Sequence, residues 1–241
     1  MKIGIISDIH SNILALKTIL QKFQDEKCDG VICCGDMIGI GAYPEETVSE
    51  IMKIPNVLAC VKGNHERYFT DGMPSEIPND EHMDTEEMEH HRWEHGLLSE
   101  ESRKFINNLE YEEWLTINNR RIYVSHYAIG KDNHYVKNSV HNPSLNDLQM
   151  LFKDITADII LYGHEHKKSI QISNDKYYIN CGSLGCPGND KNIARAGILA
   201  INDDISFTEI AIEYDVEKVL EDMDRINYPA KDTIKKFFFA V

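Results

Sequence analysis

Three apolar runs, each closing on polar residues, constrain the fold of this chain more than any other feature. KIGIISD (2–8), GVICCGD (30–36) and VLACV (57–61), the last running through Lys62 into Gly-Asn-His-Glu at 63–66, read as buried strands. Between them, ILALKTILQKF (13–23) spaces its apolar residues at the helical period, and PEETVSEIM (44–52) opens on Pro and two acids, as helices do. Such alternation implies parallel strands with right-handed crossovers. In sheets of that kind, polar residues at the carboxyl ends of strands are where sites form.

The character changes over 67–110. That stretch is acidic, His-rich and poor in strand signals, and it reads as an inserted, mostly helical cap within a single domain spanning 1–241. SEES followed by RKFINNL gives one helix start there. Beyond it strands dominate. EEWLTI (112–117) and RIYVSH (121–126) flank a short NNR turn and predict a hairpin. SLNDLQMLFKDI (144–155) predicts a helix, and DIILYGH (158–164) another buried strand ending in His. KSIQIS, KYYIN, AGILAI and ISFTEIAIEY follow across short polar turns, and VEKVLEDMDRI (216–226) is helical. Two sheets packed face to face, with helices outside, accommodate this order.

Charge narrows the partners. Acidic residues outnumber basic ones 40 to 25, a net −15 over 241 residues, and no Lys/Arg cluster denser than Arg120-Arg121 occurs. A phosphate backbone is gripped by clustered cations, so a nucleic-acid polymer is not an expected partner. A negative chain still acts on an anionic substrate where metal ions supply the positive field locally. No run of about 18 apolar residues is present, so neither a transmembrane helix nor a membrane partner is expected. MKIGIISD carries no secretory pattern, and the six cysteines, at 28, 33, 34, 60, 181 and 186, do not space as a disulfide framework. Together these predict a cytoplasmic protein.

Five short blocks end or follow the strands: SDIH (7–10), GD (35–36), GNHE (63–66), SH (125–126) and GHEH (163–166). On an extended chain, Asp8 and His10 share one side, and so do His164 and His166. By the same rule Asn64 and His65 point in opposite directions, so both should not reach one site equally well. Collected on one rim, the blocks supply two Asp, one Asn and four His, with His65 beside Asn64 as a further candidate. That mixture of imidazole and carboxylate suits manganese, iron, zinc or cobalt better than calcium or magnesium alone. Seven side chains are too many for one ion and suit two, roughly 3.5–4 Å apart with one carboxylate shared. Each block alone is weak; all five in this order, each at a strand end, are not.

The order D-x-H, G-D, G-N-H-E, H, G-H-x-H resembles the calcineurin-like metallophosphoesterases over nearly the whole chain. The resemblance implies an α/β fold, a four-layer α/β/β/α sandwich of two mixed sheets with the helical cap inserted. It implies one ion on Asp8, His10 and His166, the other on Asn64, His126 and His164, and Asp36 bridging them, with manganese and iron as the family's metals. His65 then stays off the metals, contacts the scissile phosphate and helps protonate the leaving oxygen. Two cations at such a site lower the pKa of a water and offset charge developing on the phosphate, and a positioned imidazole adds about 10²–10⁴-fold.

GDMIGIGAYP (35–44) has Ile40 where the family's protein phosphatases carry an Arg, which argues against a phosphoprotein substrate. The stretch instead resembles G-D-x-x-G-x-G-x-x-P of a bacterial subgroup related to diadenosine tetraphosphatases and small phosphodiesterases. RWEHGLLSEESRKFINNL and NCGSLGCPGNDKNIARAGIL (180–199) resemble that subgroup too, with Cys186 replacing the usual Gln before Pro187. The expected substrate is therefore a small phosphorylated molecule, a nucleotide or dinucleoside polyphosphate such as diadenosine tetraphosphate. The same fold also serves as a non-catalytic scaffold in endosomal coats, but such scaffolds lose site residues that are intact here. A nuclease is opposed by the acidic balance.

Other residues invite chemistry and have blander readings. His82, His90, His91 and His95 cluster in the cap; His91 and His95 share a helical face, but no acid or Cys pattern completes a site, and an exposed acidic helix is the reading. Cys33 and Cys34 read as core packing, and Cys181 and Cys186 as free thiols. Arg67, Arg92 and Arg195 are candidates for gripping a distal phosphate, with surface solvation as the alternative. His134 and His141 fit no block and read as loop residues.

Overall fold

The computed structural model describes residues 1–79, 81–130, 135, 140–186, 188, 190, 192–226 and 228–240. Its first half runs β1 (Lys2–Ile6), α1 (Ile13–Asp25), β2 (Gly30–Cys33), α2 (Pro44–Met52), β3 (Val57–Cys60), α3 (Asn64–Thr70), α4 (Thr85–Leu97) and α5 (Glu100–Asn107). The second half runs β4 (Glu112–Ile117), β5 (Arg120–Ser125), α6 (Leu145–Leu151), β6 (Ile159–Tyr162), β7 (Ser169–Ser173), β8 (Lys176–Asn180), β9 (Ile193–Ile201), β10 (Ile205–Glu213), α7 (Val216–Arg225) and α8 (Lys231–Phe238).

The strands form two five-stranded mixed sheets, ordered β10-β9-β1-β2-β3 and β4-β5-β6-β8-β7. In the first, β1 and β3 pair parallel with β2, while β9 runs antiparallel to β1. In the second, β5, β6 and β8 are parallel, with antiparallel β4 and β7 at the edges. The period of two along each strand sorts the side chains into layers. Ile3, Ile5, Ile32 and Cys34 meet Ile122, Val124, Ile159 and Leu161 between the sheets. Ile6 and Cys33 turn the other way, to Leu16 and Ile19 of α1, Val48 of α2 and Val219 of α7. Tyr123, Ile160 and Tyr178 turn from the second sheet to Leu148 of α6 and Phe152. Burying each such large apolar side chain stabilises by about 1.5–3 kcal/mol. The result is the four-layer arrangement the sequence predicts.

Helix starts follow local chemistry. Asn12 caps α1 by accepting from the Ala15 amide, Pro44 opens α2, and Asp84, Ser99 and Ser144 cap α4, α5 and α6. The sequence reading places no element beyond 226. α8 follows Ala230, which has a left-handed backbone and offers no side-chain cap, so the usual start signal is missing. Tertiary packing holds it instead, through Ile234 and the following Phe239 in the helix-side core. Among the described residues no helix is long and apolar enough to cross a membrane.

Candidate metal centre

The carboxyl ends of β1, β2 and β3 meet those of β5 and β6 at one rim, and all five blocks lie there. Asp8 Oδ1 is 3.5 Å from His166 Nε2 and 3.9 Å from both His10 Nε2 and His126 Nε2. Asp36 Oδ2 is 3.1 Å from His126 Nε2, 3.8 Å from His10 Nε2 and 3.9 Å from His65 Nε2. His10 Nε2 and His166 Nε2 face each other at 2.9 Å, and His164 Nδ1 lies 3.1 Å from Asn64 Oδ1. Asp36 is thus placed between the two groups, and Asp8 also reaches both.

The backbone that delivers these groups is not extended. Asp8, His10, Asp36, His164 and His166 have φ of 52°, 48°, 53°, 73° and 50°. Left-handed geometry costs a non-glycine residue of order 1–3 kcal/mol and clusters at functional sites. The expectation that D-x-H and H-x-H share a side because the chain is extended is therefore corrected: tight turns converge them. Long-range pairing holds the turns. Asp8 N donates to Gly35 O, Ile9 N and His10 N to Asp36 O, and Ser11 N to Met37 O. The opposite-directions premise for Asn64 and His65 falls for a similar reason. Both belong to the first turn of α3, where successive residues differ by about 100°, and both reach the rim.

Glu66, to which sequence reasoning gave no role, anchors this corner. Its buried carboxylate accepts from the amides of Asp36 (2.9 Å), Gly63 (2.7 Å), Met37 (2.8 Å) and Ile38 (3.0 Å). Burial and the nearby Asp36 raise its pKa to about 7, with the amides opposing. Gly63 is required because a Cβ there would sit 2.0 Å from Asp36 Oδ1, and Gly35 because its φ is +95°.

The donors fit cations. His126 Nδ1 donates to the Cys34 carbonyl at 2.8 Å and His10 Nδ1 to that of Ile38 at 3.3 Å, which turns each Nε2 lone pair inward. His126 Nε2 faces Asp36 Oδ2 at 3.1 Å and Asp8 Oδ1 at 3.9 Å as ion-pair contacts, but has no partner with hydrogen-bond geometry among the described residues. Buried polar atoms left so are costly unless something takes their lone pairs. Candidate ligand groups are Asp8/His10/His166, Asp8/Asp36/His126 and His10/Asp36/His65. In the metal-free chain, burial and then His166 lower the His10 pKa to about 4. Burial opposes charge on His126, but Asp36 outweighs it and raises that ring to about 10. Burial would raise Asp36, yet His126 and His65 hold it well below the usual carboxylate range. His65 is pushed well down by burial, against Asp36.

The remaining candidates separate. Arg67 pairs with Glu81 at 2.7 Å, Arg195 with Glu209 at 2.9 Å and Asp190 at 2.5 Å, and Arg92 is exposed. All six cysteines are free, Cys28 alone being only partly buried. Ile40 is buried in the helix-side core. His82 is exposed, and His134 and Pro187 lie outside the described residues. His141, read as a plain loop residue, places Nδ1 3.1 Å from Glu165 Oε2, between His164 and His166 in sequence. The exposed-helix reading of α4 is corrected. His90, His91 and Glu94 are buried because α4 packs against α2 and α3, with His90 and Trp93 against Tyr228. The acid that seemed missing from the His91–His95 pair is Glu94, one residue before His95.

A cavity of about 700 Å³ opens beside His164 and His166, lined also by Lys168, Arg195, Phe237 and Phe238. Another, of about 530 Å³ between α1 and the end of α2, contains none of the convergent groups.

Residues 1–204 match the family model of the calcineurin-like phosphoesterase superfamily domain. A phosphodiesterase of Methanocaldococcus jannaschii is 24% identical over 200 residues, 83% of this chain and 92% of that protein. Among solved structures, a hypothetical protein of Pyrococcus horikoshii OT3 superposes with a TM-score of 0.83 at 14% identity, covering 100% of this chain and 98% of that one. A metallophosphoesterase of Sphaerobacter thermophilus gives 0.73 at 20% identity, covering 100% and 99%.

Proposed function

The chain belongs to the calcineurin-like phosphoesterase superfamily, and on that premise we propose that it hydrolyses small phosphodiesters or nucleotides, dinucleoside polyphosphates among them, with two transition-metal ions. The observation that carries this reading is the convergence of Asp8, Asp36, His10, His126 and His166 within 3.9 Å contacts at one buried rim. Asp8, His10 and His166 would hold one ion, Asn64, His126 and His164 the other, and Asp36 both. Manganese or iron is the expected metal, with zinc or cobalt compatible with the donors. When bound, such ions supply the Lewis acidity that acidifies a water and offsets phosphate charge.

The chain's own groups do the rest. Glu66 holds Asp36 and the 36–38 backbone in register through four amides. Asp36 Oδ1 accepts from the His65 amide at 3.0 Å, which sets α3 against the rim. His65 is the proton donor to the leaving oxygen; an anionic ester against its ring favours the protonated form that burial opposes. The 700 Å³ cavity is of a size that takes a drug-sized ligand. Lys168 and Arg195 line it, both paired with Glu209, so a distal phosphate would have to compete with that carboxylate for them, and Phe237 and Phe238 offer faces on which a base stacks. One domain, with 67–110 as its insertion, is part of the same reading.

The test is turnover of bis(p-nitrophenyl) phosphate by the full chain with added Mn²⁺, then a panel of monoesters, cyclic nucleotides and dinucleoside polyphosphates with products resolved. Turnover in the panel identifies the substrate class. No turnover in any divalent metal, with metals bound, sinks the enzymatic reading in favour of a scaffold.

A further inference from the structure

A second set of convergent ligand atoms lies on α4, outside the groups used above. His91, Glu94 and His95 stand at i, i+3 and i+4, one face of a helix, and one ligand atom from each falls within 4.8 Å of the others. Glu94 Oε1 is 3.5 Å from His91 Nδ1 and 3.8 Å from His95 Nε2. These separations exceed hydrogen-bond lengths. Glu94 Oε1, both ring nitrogens of His91 and His95 Nε2 have no hydrogen-bond partner among the described residues, although His91 and Glu94 are fully buried. The same signature, ring nitrogens 3.5–3.9 Å from a buried carboxylate, marks the rim centre.

The surroundings orient these groups. Glu94 Oε2 accepts from the Gly39 amide at 2.7 Å, which fixes the carboxylate and leaves Oε1 toward the two rings. Glu87 Oε1 lies 3.8 Å from His91 Nε2, the nitrogen opposite the one facing Glu94. That is where an outer carboxylate sits when the other nitrogen of an imidazole binds metal. His95 is 13% exposed at its side chain, which gives an entry path.

We propose that α4 holds a further divalent cation on His91, Glu94 and His95, separate from the rim centre. Two imidazoles and one carboxylate with a position left open form a zinc set. The His91 and His65 ring centroids are 5.1 Å apart, so the cation would sit next to the proton donor. Through Glu94 and Gly39 it would pin α4 to the loop after Asp36.

The test counts metal. The full chain is stripped with chelator, reloaded with zinc or cobalt(II), desalted and assayed by inductively coupled plasma mass spectrometry and visible absorption. Three equivalents are expected in the native chain and two in His95→Ala, with the cobalt bands of the third ion lost. His126→Ala should lower the rim count and keep those bands. If the rim reading is wrong but this one holds, the native chain carries one equivalent and His95→Ala none. Equal counts in the native chain and His95→Ala overturn the proposal and leave His91 as an imidazolium between two carboxylates. Should His95→Ala not fold by circular dichroism, His95→Gln takes its place, and a metal count equal to the native chain's then overturns the proposal.

Discussion

At the residue scale, His65 and Glu66 are neighbours with opposite duties. His65 donates no group on which Asp8, His10 or His166 depends, so His65→Ala should keep full metal content while kcat falls about 10²–10⁴-fold, the range for one positioned acid. Loss of metal content in that variant would place His65 among the ligands instead, a role that its 3.9 Å approach to Asp36 leaves geometrically open. Glu66 works through backbone. Glu66→Gln turns a donor toward two of the four amides, and each buried amide left unpaired costs about 1–3 kcal/mol. Urea unfolding of the metal-free variant should show that loss; an unchanged midpoint would mean that the loop 36–38 is held by β2 and β3 alone.

At the element scale, α8 is the piece that local signals hide. It lacks a capping side chain and is held by Ile234 and Phe239 in the core, yet it brings Phe237 and Phe238 to the cavity mouth beside His166. Phe237 is 67% exposed, so truncating it should leave folding intact. Phe237→Ser is expected to raise KM about 5–100-fold for a dinucleotide, the equivalent of one stacked base, and to leave a methyl aryl phosphodiester unaffected. Equal effects on both substrates would remove α8 from the base site. α4 shows the converse: its polar sequence suggests a solvated helix, and only its place between α2, α3 and Tyr228 reveals buried His90, His91 and Glu94.

For the whole molecule, the protonation of the buried rings ties stability to pH and metal. In the metal-free chain His126 is raised to about 10 and His91 to about 9, where burial is outweighed by their carboxylates. Folded rings that keep protons which the unfolded chain has released contribute stability fully present below about 6.5 and lost as pH climbs through 9 to 10. Glu66, raised to about 7, acts in the same direction between 4.5 and 7. His10 and His95, both lowered to about 4, oppose only below 6.5. Tm in EDTA should therefore fall from pH 6.5 to pH 10, and saturating metal should flatten that fall, since ligation requires neutral imidazole. A metal-free Tm that rises over this interval contradicts the charge arrangement.

The sequence by itself determined the order of strands and helices as far as 226 and the residues that would gather at the rim. Both are written in local periods: apolar alternation marks a strand, and the polar residues that end it must emerge at the sheet's edge. Asp8, Asp36, Asn64, His126 and His164 were legible for that reason. Only the tertiary structure decided how they meet. The left-handed turns at Asp8, His10 and His166 are held by amides and carbonyls tens of residues distant. Glu66 is defined by the backbone of 36–38, and Glu94 by burial against Gly39. Contacts of that range leave no periodic trace in the chain, because each depends on which surfaces two sheets and their helices finally bring together.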